Sequence, residues 1–236
     1  MSFPEPRLVR AELVAATELT PRVRGLCLQT LGPDPLEWLP GQYVEVGAAG
    51  ADKRMPFSVA STLDSNRPGY FELAVARGSG GGALDQLAVG EVLEVFGPKG
   101  RFVRRENDAR PHVFVGTGTG LAPLRAMLQA LLTDGLAAPV LVLFGARTEP
   151  EILWRSELES IAAREPLLRY EPTLSQAQNG WAGRQGRVQD HLAELVSALP
   201  EACVYVCGVG EMVSDCVTRL TDELGFPKDR VVTEGH

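Results

Sequence analysis

His112-Val-Phe-Val-Gly-Thr-Gly-Thr-Gly-Leu-Ala-Pro123 decides how the second half of the chain is read. His112 to Val115 make a buried-strand run, Gly116-Thr-Gly-Thr-Gly120 follows, and an amphipathic helix is predicted from Pro123 to Thr133. Glycines let a backbone approach a phosphate closely, and a helix start offers unpaired N–H groups and a partial positive charge. Pro123 in the first turn leaves this intact, because first-turn N–H groups have no intrahelical partner. Gly116, Thr117, Gly118, Thr119, Gly120 and Pro123 are therefore candidate phosphate-binding residues. The spacing differs from G-x-G-x-x-G and no Gly-Lys-Ser/Thr follows, so the run carries neither of those two nucleotide fingerprints. Taken alone, the run also reads as a ligand-free strand-to-helix turn.

Outward from this run the pattern alternates. Val140 to Phe144 reads as a strand, Ile152 to Arg164 as a helix and Leu168 to Glu171 as a strand; a Gly-rich loop runs to Gly186. Helix Val188 to Leu199, strand Cys203 to Cys207, helix Met212 to Leu224 and strand Arg230 to Thr233 complete it. Such alternation predicts an α/β doubly wound parallel sheet over residues 108–236. In such sheets an acidic residue ending the second strand holds a ribose; here the strand ends Phe144-Gly-Ala-Arg147-Thr-Glu149. A guanidinium matches phosphate geometry, so Arg147 is a candidate for the 2′-phosphate of NADPH, or else a surface arginine.

Residues 1–107 read differently. Arg7 to Ala15, Val23 to Thr30, Tyr43 to Gly47, Phe57 to Ser61, Phe71 to Ala76 and Val92 to Phe96 are short β segments punctuated by Gly, Pro or Asn, the rhythm of an antiparallel barrel. Only Ala83 to Ala88 looks helical there.

Composition narrows the function. The 236 residues carry a net charge of −7 with no basic stripe interleaved with aromatics, which argues against nucleic acid as a partner. The four cysteines lack the spacing of a disulfide framework, a zinc site or a plant-type iron–sulfur cluster, and the three histidines form no helix-spaced ligand pair, so no metal site is expected. No apolar run approaches membrane-spanning length and the N-terminus has no signal pattern, which predicts a cytoplasmic protein.

Arg54-Met-Pro-Phe-Ser-Val-Ala-Ser61, followed by the 116–123 loop and then by Cys207-Gly208-x-x-x-Met212, resembles the ferredoxin-NADP reductase superfamily of flavin oxidoreductases. The resemblance implies an FAD-binding barrel followed by an NAD(P)-binding domain, with FMN as a possible alternative flavin and NADPH or NADH as hydride donor. In the superfamily an Arg-x-Tyr-Ser-x-x-Ser run grips the flavin. Phe57, Ser58 and Ser61 match it by type and spacing, with the first serine near flavin N5. Arg54 lies one residue early, leaving Met55 in its slot and Pro56 between. A strictly extended segment would turn Arg54 to the other face, so a local bulge or another phosphate ligand is required. Gly80, Gly81 and Gly82 resemble the turn that receives the flavin phosphate. The resemblance further implies that Cys207 sits beside the reacting nicotinamide carbon and that Glu234 belongs to the segment covering the flavin, with Gly235 and His236 replacing the usual aromatic. It assigns Ser58, Cys207 and Glu234 as catalytic residues and adds Gly208 and Met212 to the cofactor set. The expected activity is hydride transfer from NAD(P)H to FAD, with electrons passing to a separate acceptor such as a ferredoxin-like carrier or an oxygenase component. A free-flavin reductase and a non-catalytic electron-transfer or nucleotide-sensing subunit are the alternatives.

Overall fold

The computed structural model describes residues 2–50, 53–78, 82–105 and 108–235. The chain divides into two compact units: residues 1–106 with 122–134, and residues 107–121 with 135–236.

The first unit holds β1 (Arg7–Thr20), β2 (Val23–Leu31), β3 (Tyr43–Ala48), β4 (Met55–Ser58), β5 (Tyr70–Ala76) and β6 (Val92–Lys99). They form one antiparallel sheet in the order β4-β3-β6-β1-β2-β5. A bridge between Val59 and Leu73 brings the end of β4 back to β5, so the sheet closes as the alternating pattern predicts. Inward residues such as Leu13, Leu28, Val44, Val46, Phe71 and Val95 make the core with Leu36 and Trp38. The helical reading of Ala83 to Ala88 becomes a single 3₁₀ turn, Gly82–Gln86. β4 begins and ends earlier than expected, because the Val59 amide donates to the Gln42 carbonyl beyond β3 and leaves the ladder.

Helix α1 (Leu121–Asp134) leaves the glycine loop, and from Ala122 onward its contacts group it with the barrel strands.

The second unit contains β7 (His112–Thr117), β8 (Val140–Ala146), α2 (Arg155–Ala162), β9 (Leu168–Leu174), β10 (Arg184–Gln185), α3 (Val188–Ala198), β11 (Cys203–Gly208), α4 (Gly210–Thr218) and β12 (Val231–Gly235). Its sheet is parallel throughout, in the order β10-β9-β8-β7-β11-β12. The central strands β7, β8 and β11 are largely apolar, buried runs, as expected where both faces are covered. Helix α2 starts three residues later than its apolar pattern suggests: Ile152 and Leu153 are buried ahead of it, and Trp154 turns the chain at φ 48°. β10 has only two residues, Arg184 and Gln185, and no apolar alternation to announce it.

Candidate functional site

In the parallel sheet the chain starts centrally at β7, moves outward through β8 and β9 to β10, and returns on the other side as β11 and β12. Ligands of such sheets bind outside the carboxyl ends of the strands where the order reverses. Here that reversal lies between β7 and β11. Register places Gly116 beside Cys207, and Cys207 beside Glu234. Three of the sequence candidates thus share one level at the strand ends.

The loop above them has the shape of an anion cradle. Gly118 takes φ 54°, and a Cβ there would meet nothing within 4 Å, so its backbone faces open space. Gly120 is the opposite case: a Cβ would lie 2.4 Å from the Cys207 carbonyl oxygen, so only glycine lets the turn close onto the end of β11. Gly208 comes close in the same way to Thr117 and Met212. The Thr117 Oγ1 is buried with no hydrogen-bond partner among the described residues, a polar atom that a phosphate or ribose oxygen would satisfy. Thr119 is half-buried in the turn, and Pro123 is buried in the first turn of α1, where its missing N–H costs nothing. Cys207 is fully buried. Burial, reinforced by the carboxylate of Glu234, pushes its thiol far above the ordinary range, so it stays protonated at neutral pH.

At the ends of β8 and β9 a cavity of 340 Å³ is lined by Glu149, Pro150, Arg155, Leu174, Gln178, Asn179 and Trp181. Arg155 lies over the Trp181 ring, 5.5 Å from its centroid, and pairs with Glu149 and Glu159. Sequence reasoning did not single out Arg155. Arg147 is engaged by Glu151 through two hydrogen bonds, Nε at 2.9 Å and Nη2 at 2.6 Å.

The barrel unit carries the flavin candidates. The β3–β4 ladder is regular, pairing Tyr43 with Ser58, Val44 with Phe57, Glu45 with Pro56 and Val46 with Met55. Phe57 and Met55 therefore face inward: Phe57 is 8% exposed within the core cluster and Met55 packs against it. Ser58 and Ser61 are buried, and the Ser61 hydroxyl accepts the Glu72 amide at 3.1 Å. The strand has no bulge, so Arg54 turns away from Met55. It crosses Gly47 to reach Glu94, Nη2 to Oε2 at 2.5 Å. Arg54 is thus paired across the sheet, and the side chain next to Gly82 is Met55, whose Sδ would be 2.9 Å from a Cβ at Gly82. Arg54 keeps one donor in hand, since its Nε is buried without a hydrogen-bond partner among the described residues. The candidates Gly80 and Gly81 lie outside the described residues.

Among the described residues no group of three or more His, Cys, Asp or Glu is placed to hold a metal ion, and no helix is long and apolar enough to cross a membrane.

Comparison with known proteins identifies both halves of the chain. The oxidoreductase FAD-binding domain family matches residues 10–103, and the oxidoreductase NAD-binding domain family matches residues 114–218. The chain is 39% identical to ferredoxin–NADP reductase B of Sorangium cellulosum over 235 residues, covering 95% of this chain and 96% of that protein. It is 31% identical to the reductase component of phenol 2-monooxygenase from a Pseudomonas species, covering 93% of this chain but only 63% of that longer protein. Among solved structures, an Amycolatopsis cytochrome P450 reductase superposes at TM-score 0.86 with 28% identity over 99% of this chain and 71% of that one. A ferredoxin NADP⁺ reductase from Neisseria gonorrhoeae, with bound FAD and NADP, shares the fold at TM-score 0.82 and 18% identity, over 98% of this chain and 99% of that one. With both cofactor domains matched and a relative aligned end to end, the chain belongs to the ferredoxin–NADP reductase family of FAD- and NAD(P)-dependent oxidoreductases.

Proposed function

We propose that the chain oxidises NAD(P)H through an FAD held by residues 1–107, binds the nucleotide through residues 108–236, and delivers electrons to a separate acceptor protein. The observation carrying this reading is the level shared by Gly116, Cys207 and Glu234 at the strand reversal, beneath a loop with an open Gly118 and an unpartnered Thr117 oxygen. A bound FAD supplies the redox chemistry, accepting a hydride from the nicotinamide and releasing its electrons onward. The chain's own residues bind and orient. Backbone N–H groups of Gly116 to Gly120 and the start of α1 hold the diphosphate, with the Thr117 hydroxyl on a neighbouring oxygen. The protonated Cys207 thiol lines the nicotinamide position without adding charge. Ser58 donates to the flavin ring, and Ser61 keeps the segment in place through Glu72. Holding two reacting rings together contributes on the order of 7 to 11 kcal/mol, so no strong acid or base is needed.

The acceptor is a ferredoxin-like carrier or an oxygenase component, the partners implied by the names of the relatives. An NAD(P)H donor and four free cysteines suit a cytoplasmic protein. One observation favours a second reading, a free-flavin reductase: Arg54 is engaged by Glu94, and the side chain beside Gly82 is Met55.

Anaerobic addition of NADH and NADPH to the purified chain tests both. A yellow protein that bleaches supports held FAD and ranks the donors; a colourless one that oxidises NAD(P)H only with added flavin supports the second reading. No oxidation with any acceptor overturns both.

A further inference from the structure

The buried guanidinium of Arg125 has no part in the mechanism above, although it is only 7% exposed. It stands on α1, and its Nη1 donates to the Ala60 carbonyl at 2.7 Å and to Glu72 Oε2 at 2.8 Å. One turn further on, Gln129 Oε1 accepts the Thr62 amide at 3.0 Å. Two polar side chains at i and i+4 of one helix therefore converge on the same stretch, Ala60 to Thr62, which continues the strand carrying Ser58 and includes Ser61.

Other backbone groups in and next to that stretch are held from within the barrel. The Val59 amide donates to the Gln42 carbonyl, the Ala60 amide to the Glu72 carbonyl, and Trp38 Nε1 to the Ser61 carbonyl at 2.9 Å. The Ala60 carbonyl and the Thr62 amide receive their partners from α1. An apolar pair would hold a helix against a barrel by packing, without desolvating a charge. A guanidinium on a main-chain carbonyl instead fixes a direction as well as a distance.

We infer that Arg125 and Gln129 are positioning residues for the flavin: from the helix that leaves the nucleotide loop they set the backbone after β4, and through it Ser58 and Ser61. The inference rests on the reading of Ser58 as a flavin contact. It makes α1 a helix with two duties, its start at the nucleotide phosphates and its Arg125–Gln129 face on the flavin segment. Glu72 joins the same network twice, as the guanidinium's carboxylate and, through its amide, as the donor to Ser61.

The test uses the full chain carrying Arg125→Met, Arg125→Lys, Gln129→Ala and, as reference, Ser58→Ala. Three quantities are read for each: FAD affinity from fluorescence quenching, the visible spectrum of the bound flavin, and the rate of anaerobic flavin reduction by NAD(P)H. Arg125→Met is expected to weaken FAD at least about tenfold and shift the spectrum, since it removes the bonds to the Ala60 carbonyl and to Glu72. Arg125→Lys should recover most of the affinity, because an ammonium still donates to the Ala60 carbonyl. Gln129→Ala should cost about threefold. If Arg125→Met does not fold, the other two decide: wild-type affinity, spectrum and rate in both would overturn the inference. If Ser58→Ala leaves all three quantities unchanged, the reading of Ser58 fails, and the inference falls with it.

Discussion

The stretch Ser58–Thr62 and the loop Gly116–Gly120 are both proposed to face a cofactor, yet they are built by opposite means. The first is held by side chains and carbonyls from distant parts of the barrel unit: Trp38, Gln42, Glu72, Arg125 and Gln129. The second is shaped by its own backbone, through a left-handed Gly118 and a Gly120 pressed against the end of β11. Substitution should therefore damage the loop steeply at single glycines. In the barrel the effect should be shared among several contacts, each worth about 1 kcal/mol.

The largest effect is expected at Gly120. A methyl group 2.4 Å from the Cys207 carbonyl forces the loop off the strand end, and displacement of that order costs roughly 100-fold in rate. Gly120→Ala should lower kcat/KM for NAD(P)H by about that factor while flavin affinity holds; unchanged nucleotide kinetics would remove the contrast. Next comes Ser58→Ala, which deletes one hydroxyl. Stopped-flow flavin reduction should slow about tenfold with NAD(P)H affinity unchanged. An equal loss in both would mean that Ser58 supports the nucleotide as much as the flavin.

The same contrast explains what could be read from the chain. The Gly116–Pro123 run was legible because its geometry is local: glycines, a preceding apolar strand and a following helix are contiguous. Cys207 and Glu234 were reached through resemblance, and only strand register brings them to one level. The side on which Arg54 lies was not legible, because it depends on whether β4 bulges, and the straight β3–β4 ladder decides that. The Arg125–Gln129 network did leave a mark: two polar residues four apart interrupt the apolar run 121–132 of the helix. Their partners lie more than 50 residues away in sequence, a distance that periodicity does not span. β10 left none, since two polar residues have no alternation to detect.

Where the barrel stretch relies on polar contacts, the nucleotide unit relies on dry burial, and its thiols report this. Burial, with Asp215 nearby, pushes Cys216 up to about 12, and Cys207 is raised by burial and Glu234. An unfolded thiol ionises near about 8.5. Below that pH both states are protonated and the stabilisation is complete. Above it the unfolded chain loses protons that the folded chain keeps, so stability falls as pH rises toward 12, by up to about 1.4 kcal/mol per pH unit for each thiol. Urea midpoints at about pH 8 and pH 10 should diverge more in the wild type than in Cys216→Ala; equal slopes would mean that water reaches the thiol.

The smallest effect is expected at Arg147, and it sharpens the comparison within the nucleotide unit itself. Its spacing after β8 made it a candidate for the NADPH 2′-phosphate, but the guanidinium is engaged by Glu151 through two hydrogen bonds, in a pair 45% exposed on the arginine side. To meet a phosphate it would have to give up two charge-assisted bonds to a carboxylate of matched geometry, so exchanging one anion for the other gains little. Arg147→Ala should therefore change the NADPH-to-NADH ratio of kcat/KM by no more than about twofold, whereas Glu151→Gln, which releases the guanidinium, should raise the ratio several-fold. A large loss of NADPH preference in Arg147→Ala would show that the phosphate outcompetes Glu151, and that this side of the site is rebuilt when the nucleotide binds.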